Sequence, residues 1–389
     1  MKKGVVGDEI PCPHSGRCSG CFAAVEGNLG FPSESIEDAI SLNVSTVSAI
    51  HLIYLNEVIH MFRKLSLFLC SLILVLTIFS LNTFYHDQAA VRTFRNHAAR
   101  NRKLTNKTIQ QYLNGSENER ENARNLLIHT TLKNMNYEKW LDYQEYIDLL
   151  LYTADIMPGS GEELIIVLNL SKDLAVAAVY RSLNQEYVFI HSLENLLPVE
   201  KIEFFLIPDL GYQTLNIYQI LDERLGAYIL EKFVESYGWI SGRWQSLWKK
   251  TVYMEEIYNQ QWINPQSSRD QWIKIVEDNE IRFLQQPNPQ IHVTIKRSKL
   301  TAVKKQLPMP EDFRLQERIQ AHEFYHWSTR FQRYILKEGT LEECTTPVAI
   351  IQDLETSVES YLGFISKAYK VTYLNGKTGY IHKDRLSIK

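Results

Sequence analysis

Leu65 to Tyr85, LSLFLCSLILVLTIFSLNTFY, carries no charged residue over a length that spans a bilayer as a helix. No other stretch of the 389 residues approaches it in length and lack of charge. Arg63 and Lys64 precede it directly, and from Met61 the segment MFRKLSLFLC has the basic and apolar regions of a secretory signal. The next residues, SLNTFYHDQAA, hold no clear small-residue cleavage pattern. Residues 61–86 therefore read as an uncleaved signal-anchor transmembrane helix, with cleavage after Ala89 or Ala90 as the alternative. A targeting segment normally opens a chain, so Met61 reads as the initiation site and residues 1–60 as an N-terminal extension left untranslated by that start.

Charge count and signal shape disagree on orientation. Arg92, Arg95, Arg100, Arg102 and Lys103 outnumber Arg63 and Lys64, and the positive-inside count places the region behind the anchor in the cytoplasm. A long C-terminal region behind a signal-like anchor is usually translocated instead. The expectation is a single-pass protein of the cell membrane with an extracytoplasmic soluble region.

Hydrophobic residues make up 45% of the chain and charged residues 22%, which is the balance of a folded protein rather than a disordered one. The formal charge of -3 gives no reason to expect a nucleic-acid partner. Only Cys344 comes after the apolar segment, so the soluble region holds no internal disulfide. The 21 Tyr, 16 Phe and 7 Trp fall mostly after the segment and tilt that region toward strands.

From residue 87 to 156 apolar residues recur at helical spacing, among them Leu126, Leu127, Tyr137, Trp140, Leu141 and Leu151, with a break at Gly115-Ser116. The turn-rich MPGSGEE, Met157 to Glu163, ends this helical segment. Its Gly159-Ser160-Gly161 precedes a strand, whereas a phosphate-cradling loop comes after one, so it reads as a plain turn. Residues 157–340 then read as a β-rich domain. ELIIVLNLS, LAVAAVYRS and YVFIHSL form an antiparallel meander, and WIKIVEDNEIRFL predicts a hairpin turning at Asp278-Asn279. Tyr237-Gly238-Trp239 before Arg243-Trp244-Gln245 is similar to Tyr325-His326-Trp327 before Arg330-Phe331-Gln332, and both predict aromatic hairpins.

Residues 341–389 read as a small C-terminal β module. Ala368 to Ile388, AYKVTYLNGKTGYIHKDRLSI, is a hairpin with Asn375-Gly376 at the type I′ position. Tyr369, Val371, Asn375, Gly376, Lys377, Gly379, Tyr380 and Leu386 give it a strand, an Asn-Gly-Lys-x-Gly turn, an aromatic and a short closing strand. In this pattern it resembles the terminal hairpin of bacterial Src-homology-3-like domains. The resemblance covers about twenty residues, and it implies a wall- or peptide-binding role.

Two patterns suggest chemistry. His322-Glu323-Phe324-Tyr325-His326 matches HExxH, in which a helix brings two imidazoles onto one zinc beside the glutamate that acts as general base. By resemblance to gluzincins, Glu355 or Glu359 would be the third ligand. Yet from Phe313 to Trp327 apolar and polar residues alternate with period two, which predicts a strand and turns Glu323 away from both histidines. The second pattern, Cys12, His14, Cys18 and Cys21, looks like part of the cluster-binding motif of iron-sulfur RNA uridine methyltransferases, and the same set could hold zinc. It lies in the extension before Met61, and no methyltransferase glycine motif accompanies it.

The expected fold class is thus α+β: a transmembrane anchor, a helical segment, then mainly antiparallel sheet with a small C-terminal β module. The expected function is a non-enzymatic envelope interaction or binding protein without cofactor, contacting the membrane through Leu65–Tyr85 and a cell-wall or protein ligand elsewhere. The alternative is a membrane-anchored zinc metallopeptidase using His322, Glu323, His326 and Glu359.

Overall fold

The computed structural model describes residues 103–388, apart from 160, 226–227, 286–287, 343–344 and 356–366. Leu65–Tyr85 and the cluster Cys12, His14, Cys18 and Cys21 lie outside the described residues.

The fold is mostly β: strands hold 60% of these residues and helices 17%. This corrects the expected α+β class. No helix among the described residues is long and apolar enough to cross a membrane. The stretch read as helical to residue 156 holds helices α1 (Asn106–Asn114) and α2 (Glu117–Asn134), a short 3-10 segment (Glu138–Tyr146), and then a strand, Asp148–Ala154. Leu149, Leu150 and Leu151 form a short apolar run whose period does not separate helix from strand; pairing along its whole length with Glu163–Asn169 decides for strand.

The break at Gly115-Ser116 is where one helix stops and the next begins. A Cβ on Gly115 would lie 2.4 Å from the Gln111 carbonyl oxygen, which leaves room for glycine alone. Ser116 then opens α2 with a capping box: its backbone N–H donates to the Glu119 carboxylate at 3.0 Å.

Three antiparallel sheets succeed one another along the chain. The first comprises β1 (Leu104–Thr105), β2 (Asp148–Ala154), β3 (Glu163–Ser171), β4 (Leu174–Leu183) and β5 (Glu186–Leu196), in the order β1-β5-β4-β3-β2. The sequence of β3 is almost uniformly apolar because both of its faces are covered. Leu164, Ile166 and Leu168 meet Leu127, Ile128 and Leu132 of α2, while Ile165 and Val167 meet Leu215 and Ile217 of the second sheet. Each such side chain contributes about 1.5–3 kcal/mol by leaving water. Tyr180 of β4 points to the helices, donates to Thr131 Oγ1 at 3.0 Å and accepts from Asn134 Nδ2 at 3.3 Å.

The second sheet comprises β6 (Val199–Ile207), β7 (Tyr212–Glu223), β8 (Ile229–Ile240), β9 (Arg243–Asn259), β10 (Gln271–Asp278), β11 (Glu280–Leu284), β12 (Gln290–Val303), β13 (Arg314–Ser328) and β14 (Arg333–Ile335). Its order is β14-β13-β12-β10-β9-β8-β7-β6, with β11 also on β12. One face of β6 to β8 packs on the first sheet. The opposite face, with Phe205, Ile207 and Val234, meets Ile291, Val293 and Tyr325 of β12 and β13, so the sheet curls over a core of its own. Bulges in β9, where Val252 and Leu247 are the extra residues opposite Lys232/Phe233 and Ser236/Tyr237 of β8, add the local twist that such curvature needs.

The Asp278-Asn279 hairpin is not formed. Strands β10 and β11 lie end to end along β12, because Asn279 holds the chain straight: its backbone N–H donates to the Val252 carbonyl at 2.8 Å and its amide to the Thr251 carbonyl at 2.9 Å. The two aromatic hairpins are present. Trp239 faces Trp244 across the first, but in the second Trp327 faces Tyr334 rather than Phe331, since Thr329 to Gln332 form a longer turn.

The third sheet comprises β15 (Lys337–Leu341), β16 (Pro347–Asp353), β17 (Ala368–Tyr373), β18 (Thr378–His382) and β19 (Leu386–Ile388), in the order β18-β17-β16-β15-β19. Val348, Ile350, Val371 and Leu386 fill its core. The β17–β18 turn differs from type I′. Gly376 alone has positive φ, at +80°, and its N–H donates to the Tyr373 carbonyl, which is the three-residue turn with a glycine bulge.

Ile166→Ala will lower unfolding free energy by about 2–5 kcal/mol in urea titrations, because neither neighbouring layer can collapse into the void. Burial pushes the Tyr180 hydroxyl from its ordinary 10.0 up to about 12. The unfolded chain ionises first, so this stability is complete below about pH 10 and is lost as pH rises toward 12. Urea midpoints measured from about pH 8 to about pH 11.5 will therefore fall, and fall less in Tyr180→Phe.

Candidate functional site

The HExxH residues lie in the middle of β13, on a strand as the alternation predicts. Paired residues are Gln290 with His326, His292 with Phe324, and Thr294 with His322, all on the open face of the second sheet. From Ala321 to Trp327 the odd-numbered residues turn into the curled core, whereas Leu315 and Glu317, beside a register shift, are exposed. His322 and His326 are exposed, Phe324 is 57% exposed, and Glu323 and Tyr325 are buried.

Glu323 has a defined role inside. Its Oε2 pairs with Lys250 Nζ of β9 at 2.6 Å and accepts from the Tyr325 hydroxyl at 2.7 Å. The Tyr325 ring meets Trp248 edge-on, with centroids 5.6 Å apart. Burial, and then the neighbouring Glu323 carboxylate, hold the Tyr325 hydroxyl well above the ordinary tyrosine range. The carboxylate thus spans the core from β13 to β9, on the far side of the sheet from both imidazoles. A general base must reach the water held by its metal, and this placement denies Glu323 that reach.

The third-ligand candidates do not join them. Glu355 pairs with Lys383 Nζ at 2.6 Å beside the third sheet, and that hydrogen bond lowers its carboxyl pKa. Glu359 lies outside the described residues. Among the described residues, no group of three or more His, Cys, Asp or Glu is placed to hold a metal ion. Gly159 and Gly161 form a turn before β3, closed by Arg181, which donates to Glu163 Oε1 at 2.7 Å.

What the motif does form is a surface. Three strands present an open row: Arg282 and Leu284 from β11, His292 and Lys296 from β12, and Phe324 with its flanking histidines from β13. His292 meets the Phe324 ring edge-on at 4.6 Å, and Thr294 Oγ1 lies 3.3 Å from His322 Nδ1. Sequence reading missed His292 and Lys250. The period-two run QIHVTIK could have signalled the first, whereas Lys250 is brought to Glu323 only by the curl of the sheet.

Opposite burial predicts opposite responses to substitution. Glu323→Ala leaves the partly buried Lys250 charge uncompensated and will cost up to about 3–5 kcal/mol. Tyr325→Ala will cost a similar amount, about 3–5 kcal/mol, through the cavity it opens. His322→Ala and His326→Ala will stay within about 0.5 kcal/mol of the parent in the same denaturation experiment.

No protein-family model matches this chain, and a search of curated proteins found no match to it.

Proposed function

We propose that this chain is a non-enzymatic binding protein of the cell envelope, acting at the membrane with its β-rich region outside the cytoplasm. One observation carries the binding part: His322, Phe324 and His326 stand outward on an open sheet face while Glu323 is engaged inward with Lys250. The residues of the would-be catalytic motif are split between a solvent surface and a structural ion pair. An exposed aromatic ring among hydrogen-bonding side chains suits recognition rather than hydrolysis.

The third sheet supports a second binding unit. Its hairpin β17–β18 is succeeded by the closing strand β19, the order on which the resemblance to bacterial Src-homology-3-like domains rests. Tyr380, 62% exposed on β18, is available to a wall or peptide ligand. The localisation rests on the uncharged stretch Leu65–Tyr85 and the basic residues before it.

Detergent-solubilised full-length protein should co-sediment with purified cell-wall material, less so as Tyr380→Ala, and should carry no zinc in stoichiometric amount. Stoichiometric zinc that disappears in His322→Ala, together with hydrolysis of peptides, would replace this reading with the metallopeptidase.

A further inference from the structure

We infer that the end of the second sheet where β9 turns into β10 and β12 into β13 docks on a lipid bilayer, with Trp262, Ile263, Leu307 and Met309 entering the headgroup region. The inference deepens the membrane reading above and rests on it.

The two connections belong to one end of the sheet. Asn259, the last residue of β9, pairs with Trp272 of β10, and Val303, the last of β12, pairs with Gln271, so both connections leave the sheet side by side. Hydrogen bonds tie them together. The Lys304 N–H donates to the Asp270 carbonyl at 2.7 Å, and Trp272 Nε1 donates to the Lys304 carbonyl at 3.0 Å. The second connection is also braced from within: Asp312 accepts from the Met309 N–H at 2.7 Å and pairs with Lys304, and Pro308 and Pro310 flank Met309.

On this frame large apolar side chains are held in water. Trp272, Ala302 and Phe313 form a small buried cluster, and Trp262 stands edge-on to Trp272 at 5.8 Å while 60% exposed. Ile263, Leu307 and Met309 are exposed on the same two connections. All seven tryptophans lie among the described residues, and Trp262 is the exposed one. Groups fixed outward in advance lose little freedom when a partner covers them, and exposed apolar groups gathered in one place mark a contact surface.

Three features select a bilayer as that partner. Trp262 combines a large apolar ring with one N–H donor, which suits the boundary between headgroups and acyl chains. The flanking charges agree: Arg269, Lys304, Lys305 and Arg314 stand against Asp270, Glu311 and Asp312, so four cations face three carboxylates in a chain whose formal charge is -3. Lysine is depleted from protein interfaces, whereas at a lipid surface its stem lies along apolar groups and its ammonium meets phosphate. Finally, a bilayer is within reach. Residues 86–102 separate Tyr85 of the uncharged segment from Lys103, and a stretch of that length spans at most about 60 Å. Such a tether keeps the effective concentration of lipid high, so a weak docking contact suffices.

The test reconstitutes the full-length protein in phosphatidylcholine vesicles, with and without bromine on the acyl chains near the headgroups, and reads tryptophan fluorescence. Bromine quenches only a ring that reaches it, and residues 1–102 contain no tryptophan, so the signal reports on the β-rich region. Brominated lipid should quench the parent, and Trp262→Phe should remove most of that quenching. Ile263→Asp/Met309→Asp, which keeps Trp262, should lose it as well, with an unchanged thermal midpoint because both side chains are exposed. An unquenched parent, quenching that survives in Trp262→Phe, or equal quenching in the double Asp variant would each overturn the inference. So would a dimer in detergent that the double variant converts to monomer, since that assigns the patch to a second copy. Carbonate extraction of the vesicles tests the anchoring segment separately. Extractable protein would sink the membrane reading and this inference with it, whereas protein that resists extraction but stays unquenched would sink the docking end alone.

Discussion

Strand β3 depends on being covered twice, and most of the fold follows from that requirement. A run such as Leu164 to Leu168 has no polar face to offer water, so one layer must close over each side. Helix α2 supplies one layer and strands β6 to β8 the other. Once β6 to β8 are committed to the first sheet on one face, their opposite face still carries Phe205, Ile207 and Val234. The second sheet buries these by curling until β12 and β13 return over them. The two cores are therefore consecutive answers to one problem, the second created by the solution of the first.

Inside the second core the pair Lys250–Glu323 decides which way β13 faces. Two charges removed from water gain little net stability even at 2.6 Å, but leaving one unpaired is costly. A slip of β13 by one residue would expose Tyr325, bury His322 and His326, and strand Lys250 in the core. The pair thus penalises the wrong register more than it stabilises the right one. The Tyr325 hydroxyl adds a second bond to the same carboxylate, which fixes its orientation beside Trp248.

How much of this is legible in the sequence depends on the distance over which each feature is decided. The alternation from Phe313 to Trp327 is local, and it foretells a strand with Glu323 facing away from the histidines. Gly115-Ser116 is equally local and marks the helix boundary through a steric limit and a cap. Strand β2 escapes a local reading because Leu149 to Leu151 suit either period, and only β3 decides between them. The Asp278-Asn279 turn fails for a similar reason: a turn dipeptide is overruled by two bonds to β9, one of them to Thr251, 28 residues earlier. Lys250 and Glu323 are 73 residues apart, and no local pattern joins them. The apolar segment and the helical spacing after it point toward α+β, while most of the described chain is sheet.

The same distinction explains why a motif of five residues can mislead. HExxH describes spacing, and spacing acquires chemical meaning only through the period of the element that carries it. On a helix, residues one and five stack one turn apart, with residue two close enough to share their water. On a strand, positions one, three and five share a face and position two is sent through the sheet. In β13 this puts Phe324, the least conspicuous letter of the motif, at the centre of the exposed row between His322 and His326. What surrounds that ring is then set by the neighbouring strands, through Arg282, His292 and Lys296, and not by the pentapeptide itself.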